Sequence, residues 1–291
     1  MTTARLPEGP SPQALSLDHV GLIVQDLHAA QMLMADLGFD LTARADHTLT
    51  TADGRTVSAG SSQHAIMLAH GYIELMHISG PQAAHHLVQA PQERFGLHIL
   101  ALATRDAEES HAHFGAVGQA VGPIRRWARE VDEPDRKGLA RFVYFDAPWV
   151  PQDPSYLCWV QHLTPELMRS TQAPHHPNTA LSVRAIHYVG PATDTVAWVL
   201  RLQHLGMAAH VTADRTVLAL GPFQIQVQTQ ADLPGVVPTV LEIGFQSLDD
   251  IRARCHRAGL PCQDVQGGRL QIHLRAPLGI ELQCVVQDTG R

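Results

Sequence analysis

The sequence is short of several things, and each absence narrows the field. No stretch approaches the roughly 18 apolar residues needed to span a bilayer. The first residues, MTTARLPEGPSPQA, lack the apolar centre of a signal peptide. A cytoplasmic protein with no membrane partner is the expectation. There is no basic excess: the formal charge is -7 and the pI near 6.2. A mildly acidic surface argues against nucleic acid as the main partner. Only four cysteines occur, Cys158, Cys255, Cys262 and Cys284, with no CxxC pair. Widely spaced cysteines in a chain without an export signal read as buried thiols rather than a disulfide framework.

What is present is a globular composition. Of 291 residues, 45% are hydrophobic and 17% charged, enough for two domains with real cores. One pattern recurs four times: an apolar strand, a helix of about three turns, a glycine, then further strands. The copies open with LDHVGLIV, GLHILALAT, VRAIHYV and VLEIGF. The spacing predicts helices over 26–37, 106–117, 193–205 and 248–258, with Asp26 as an N-cap and Gly38 suited to the left-handed position beyond the helix. From His19, His98, His187 and Glu242 to the glycines Gly38, Gly118, Gly206 and Gly259 the counts are 19, 20, 19 and 17 residues. Each copy closes on an apolar strand: YIELMHI, YLCWVQHL, QIQVQT and IELQCVV.

Residues 80–91 join copies one and two. The proline-bearing stretch 164–180 separates the halves and reads as a solvated linker carrying His175 and His176. This divides the chain into a disordered lead-in 1–14, a first unit 15–163, the linker 164–180 and a second unit 181–291.

LDHVGLIVQDL followed by ADLGF, HAIMLAHGYIELM, and APLGIELQ resemble motifs of the vicinal-oxygen-chelate superfamily, the fold of glyoxalases, extradiol dioxygenases and bleomycin-resistance proteins. The likeness runs from Leu17 to Val286. It implies an α+β fold: four tandem βαβββ modules forming two open barrels. In that family each paired barrel offers four inward ligand positions, on the first and last strand of each module. The matching positions are His19, Glu74, His98 and Cys158 in the first unit, and His187, Gln226, Glu242 and Glu281 in the second. His187 to Gln226 and Glu242 to Glu281 both span 39 residues.

The resemblance implies a divalent metal, Fe2+, Zn2+, Ni2+ or Mn2+, held by His19, Glu74 and His98, with a second set of His187, Glu242 and Glu281. Two imidazoles and a carboxylate suit such an ion, which would chelate a substrate through two oxygens. Cys158 departs from the glyoxalase I pattern, which has a glutamate there, and reads as a buried packing thiol. His162 keeps the parity of that strand and, with His64, is an acid–base candidate. Arg125, Arg126, Trp127 and Arg129 read as a solvated basic loop or, alternatively, as a clamp for a carboxylated substrate. Three functions stay open. One is a metal-dependent enzyme of the glyoxalase, lyase or dioxygenase class. Another is ring-cleaving extradiol chemistry, and the third is a metal-free sequestering protein. Aromatic content of 5% weighs against the last. The expected partners are a small-molecule substrate and, in a homodimer, a second copy of the chain.

Overall fold

A computed structural model describes residues 16–50, 53–80, 87, 94–149, 153–168 and 175–287. The lead-in 1–14, most of the 80–91 segment and part of 164–180 lie outside the described residues.

The four expected helices form. Among the described residues α1 (Leu27–Asp36), α2 (Ala107–Ala116), α4 (Ala192–His204) and α5 (Asp249–Ala258) are joined by two single-turn helices, α3 (Pro165–Met168) and α6 (Arg275–Leu278). Asp26 caps α1 by accepting from the Ala29 N–H at 3.0 Å. Gly38 just beyond it takes φ 82°, the left-handed conformation that lets the chain turn back toward the sheet. None of the helices among the described residues is long and apolar enough to cross a membrane.

Eight strands make the first sheet: β1 (Ser16–Ile23), β2 (Ala45–Thr50), β3 (Thr56–Met67), β4 (Tyr72–Ile78), β5 (Gly96–Ala103), β6 (Arg125–Glu133), β7 (Arg136–Asp146) and β8 (Tyr156–His162). Their order is β1-β4-β3-β2-β6-β7-β8-β5, and the sheet closes on itself. Within each module the outer strands run parallel, β1 with β4 and β5 with β8. The modules meet along two antiparallel seams, β1 with β5 and β2 with β6. The second sheet runs β10 (Ala208–Val211), β11 (Thr216–Leu220), β12 (Phe223–Thr229), β9 (Ala180–Gly190), β13 (Val237–Phe245), β16 (Glu281–Val286), β15 (Arg269–Ile272) and β14 (Cys262–Val265). It stays open. Its edge strands β10 and β14 have four residues each and do not pair, whereas β2 and β6 share a register of three residue pairs. The first half is thus a closed barrel rather than the open one expected.

Helices and the outward strand residues form one continuous core that spans both halves, including Leu22, Leu37, Ile73, Ile186, Trp198 and Phe245. The expected solvated linker is part of this packing where it is described. His176 is 5% exposed; its ring accepts from the Asp40 N–H at 2.9 Å and donates to the Met67 carbonyl at 2.8 Å. Asn178 is fully buried and donates to the Leu37 carbonyl at 2.9 Å. A polar pair in an apolar seam is tolerated because every polar atom finds a partner.

Candidate active site in the closed barrel

Alternation along a strand sends neighbouring side chains to opposite faces, and an inserted residue resets that alternation. Two insertions shape this site. On the β1/β5 seam Leu17 pairs with Leu102 and His19 with Ala101, so Asp18 is an unpaired extra residue of β1. Leu17 therefore joins the outer core while His19 lines the barrel interior. Asp18 lies between two imidazoles: its Oδ1 is 2.7 Å from His19 Nδ1 and its Oδ2 is 2.8 Å from His162 Nε2.

Farther along the seam, Gly21 pairs with Ile99 and Leu22 with Leu97, which makes His98 the extra residue of β5. His98 turns outward, and its Nε2 donates to the Arg94 carbonyl at 2.8 Å. It does not join His19 and Glu74, contrary to the expected ligand set. Ile99 takes its place inside. Gly21 makes this feasible, since a Cβ there would lie 2.7 Å from Ile99 Cδ1.

The interior group is different. Glu74 on β4 faces His19 Nε2 at 3.7 Å through one oxygen and His47 Nε2, from β2, at 3.4 Å through the other. Gln63 on β3, with its amide oriented to satisfy both neighbours, donates to Glu74 Oε1 at 2.5 Å and accepts from Arg129 Nε at 2.9 Å. Ser61 Oγ lies 2.9 Å from His47 Nδ1, and Tyr72 stacks on His19 at 4.5 Å. Trp127, Tyr144, Tyr156 and Cys158 complete a cavity of about 80 Å³. At about 10–15 Å³ per water-sized sphere, that admits a small molecule only.

Burial sets the electrostatics. It penalises the Asp18 carboxylate, but hydrogen bonds and charge from His162 and His19 outweigh it and hold the pKa well below the usual carboxylate range. Burial works against the His19 cation too, yet Asp18 and then Glu74 raise its pKa. Glu74 moves up, because burial outweighs the help from His19 and Arg129. Burial pushes the Cys158 thiol far up, so it stays neutral, as a packing thiol would. The pair His19–Glu74 thus holds a proton readily, while Asp18 remains an anion behind it.

Of the residues singled out from sequence, His19, Glu74, Trp127, Arg129, Cys158 and His162 meet in this cavity. His64 does not. It follows Gln63 on β3, so alternation puts it on the outer face, where its Nδ1 meets the Thr42 carbonyl at 2.8 Å. The expected loop around Arg125 is strand β6; Arg125 pairs with Asp146 and Arg126 with Glu108, while Trp127 and Arg129 point inward. In the second sheet His187 Nε2 lies 3.6 Å from Glu242. Glu281 is two residues out of step, because Glu242 pairs with Gln283. It meets His273 and Arg275 instead, and Gln226 accepts from Arg215. The expected His187, Glu242 and Glu281 set is therefore not assembled.

Asp18, His47 and Gln63 were missed. His47 was recoverable, because Ala45 and His47 are buried and Asp46 exposed, a strand alternation visible in ADHTL. Asp18 had no sequence signal, because nothing local announces the bulge.

The metal implied by the resemblance needs several donors facing one point. Its four positions hold His19, Glu74, Ile99 and Cys158, of which one has no donor and one is a neutral thiol. Among the described residues no three His, Cys, Asp or Glu side chains already stand in a metal-binding arrangement. Glu74 has Arg129, reached through Gln63, as countercharge. Those four positions, as arranged, do not fit the group, while His47 brings a second imidazole to Glu74.

A family model, the glyoxalase-like domain, matches residues 17–205. The chain belongs to the glyoxalase-like family. Its modules are those of the vicinal-oxygen-chelate superfamily, and solved structures share the fold. A hypothetical protein from Staphylococcus aureus matches with TM-score 0.64 and 11% identity over 94% of this chain and all of its own. A xylose isomerase-like TIM barrel/4-hydroxyphenylpyruvate dioxygenase fusion protein matches with TM-score 0.60 and 13% identity, over 97% of this chain and 50% of its own. A triple mutant of 4-hydroxymandelate synthase from Streptomyces coelicolor matches with TM-score 0.53 and 11% identity, over 95% and 93%. At such identities the likeness is one of fold. No curated protein matches the sequence.

Proposed function

We propose that the closed barrel is the catalytic unit and that it moves a proton on a small substrate bearing adjacent oxygen atoms. The carrying observation is the Asp18–His19–Glu74 alignment, with the Asp18 anion on one imidazole nitrogen and the interior on the other. A base oriented by a buried carboxylate is poised for proton abstraction next to a carbonyl. His19 takes the proton at Nε2. Glu74, with its raised pKa, supplies or receives one across the cavity. Arg129 and the Gln63 amide give the site positive potential for a developing enolate oxygen. The cavity size supports a substrate of a few heavy atoms.

The test is deuterium wash-in at the carbon beside the carbonyl, followed by NMR for a panel of small α-hydroxy ketones and α-keto acids in D2O. Exchange with at least one of them is expected, falling by about 10²–10⁴ in His19→Gln. Exchange unaffected by that change removes the reading.

One observation favours a second reading, divalent-metal chemistry of the glyoxalase or dioxygenase class: both His19 Nε2 and His47 Nε2 face the one Glu74 carboxylate. Elemental analysis of protein purified without added metal separates the two. One equivalent of metal, lost in His47→Ala, supports this second reading.

A further inference from the structure

The barrel interior has two unlike sides. Around the closed ring, β4, β3 and β2 lie opposite β7, β8 and β5. The first three strands bring Glu74, Gln63 and His47 to the cavity. The opposite three bring Tyr144, Tyr156, Val160 and Ile99, all buried and part of an apolar cluster separate from the main core. Register holds them side by side: Ile99 pairs with Tyr156, and Tyr144 with Val160. Burial pushes both phenols well up, so these rings carry no charge at neutral pH. His162, the imidazole of β8, is turned to Asp18. Ile99 stands inside only because the bulge sends His98 out.

A buried water needs two to four polar partners, and such a wall offers few. A hydrocarbon group gains by leaving water for it. The polar side pairs its own charges, Asp18 with His19 and, through Gln63, Glu74 with Arg129. A charged head group would upset that balance, whereas a neutral one can donate to and accept from these groups. The cavity of about 80 Å³ has room for about five to eight heavy atoms, at 10–15 Å³ each.

Resting on the reading of the barrel interior as the substrate site, we infer that the substrate is a neutral aliphatic α-hydroxy ketone. Its two oxygens face the β4–β3–β2 side, its hydrocarbon tail lies against the opposite wall, and Ile99 sets the longest tail accepted.

NMR titration of the full chain, following the Val160 methyl signals, with straight-chain 1-hydroxy-2-alkanones from hydroxyacetone to 1-hydroxy-2-octanone tests this. Affinity should rise about fourfold per methylene, the roughly 0.8 kcal/mol of one buried CH2. It should peak at about five or six carbons and then fall. Ile99→Ala should move the peak about two carbons longer. Ile99→Val removes a single methyl; it keeps most of the packing should the alanine variant not fold, and should move the peak the same way by less. His19→Gln should change every affinity by one common factor and leave the rise per methylene intact. Affinities independent of chain length, or a peak that neither Ile99 variant moves, would overturn the inference. Deuterium exchange separates it from the proton-transfer reading: the rise with chain length but no exchange removes proton transfer alone, and exchange without the rise removes this inference alone.

Discussion

Asp18→Asn isolates the physical core of the barrel site. The Asp18 side chain is 9% exposed and contacts two imidazoles at 2.7 and 2.8 Å. Each hydrogen bond to a charged group contributes about 1.5–3 kcal/mol, and a neutral one about 1 kcal/mol. Asparagine keeps the shape and both contacts in neutral form, so the loss should be about 2–4 kcal/mol at neutral pH. The pH dependence should change as well. Asp18 has a lowered folded pKa, so its stabilisation is present above the ordinary carboxylate value and lost as pH falls through the folded one. His19 has a raised folded pKa, so its share is full below the ordinary imidazole value and disappears as pH rises through the folded one. In the variant this alkaline decline should flatten, because His19 no longer faces an anion. Urea unfolding from pH 5 to 9, with NMR titration of the His19 ring, measures both. A variant within about 0.5 kcal/mol of wild type, with the His19 titration unmoved, would refute the reasoning.

Two further outcomes follow from the seam. His98, buried neutral with a pKa near 3, stabilises above the ordinary imidazole value and loses that contribution as pH falls toward 3. His98→Gln should unfold less steeply with acid, by up to about 1.4 kcal/mol per pH unit over that window, and should leave barrel chemistry intact. Gly21→Ala should cost about 1–3 kcal/mol through collision with Ile99, and Gly21→Ala combined with Ile99→Ala should recover much of it, both read by denaturant midpoints.

Sequence alone determined the modular plan. Apolar strands, the Asp26 cap and glycine-ended helices are local signals, since each depends on residues within a turn or two. Hence four strand–helix units, their order and the inward histidine of the first strand were legible. The partners of that histidine were not. The counts of 19 and 20 residues from His19 and His98 to their glycines differ by one, and one residue on a strand moves a side chain to the other face. Only the pairing of β1 with β5 decides where bulges fall, and the bulges put Asp18 beside two imidazoles and His98 outside. His47 and Arg129 lie opposite each other across the β2–β6 seam, about 80 residues apart in sequence. Closure of the first sheet, and the open state of the second, is likewise a property of edges meeting in space. A local pattern fixes which faces are apolar; long-range pairing decides which polar groups share the interior.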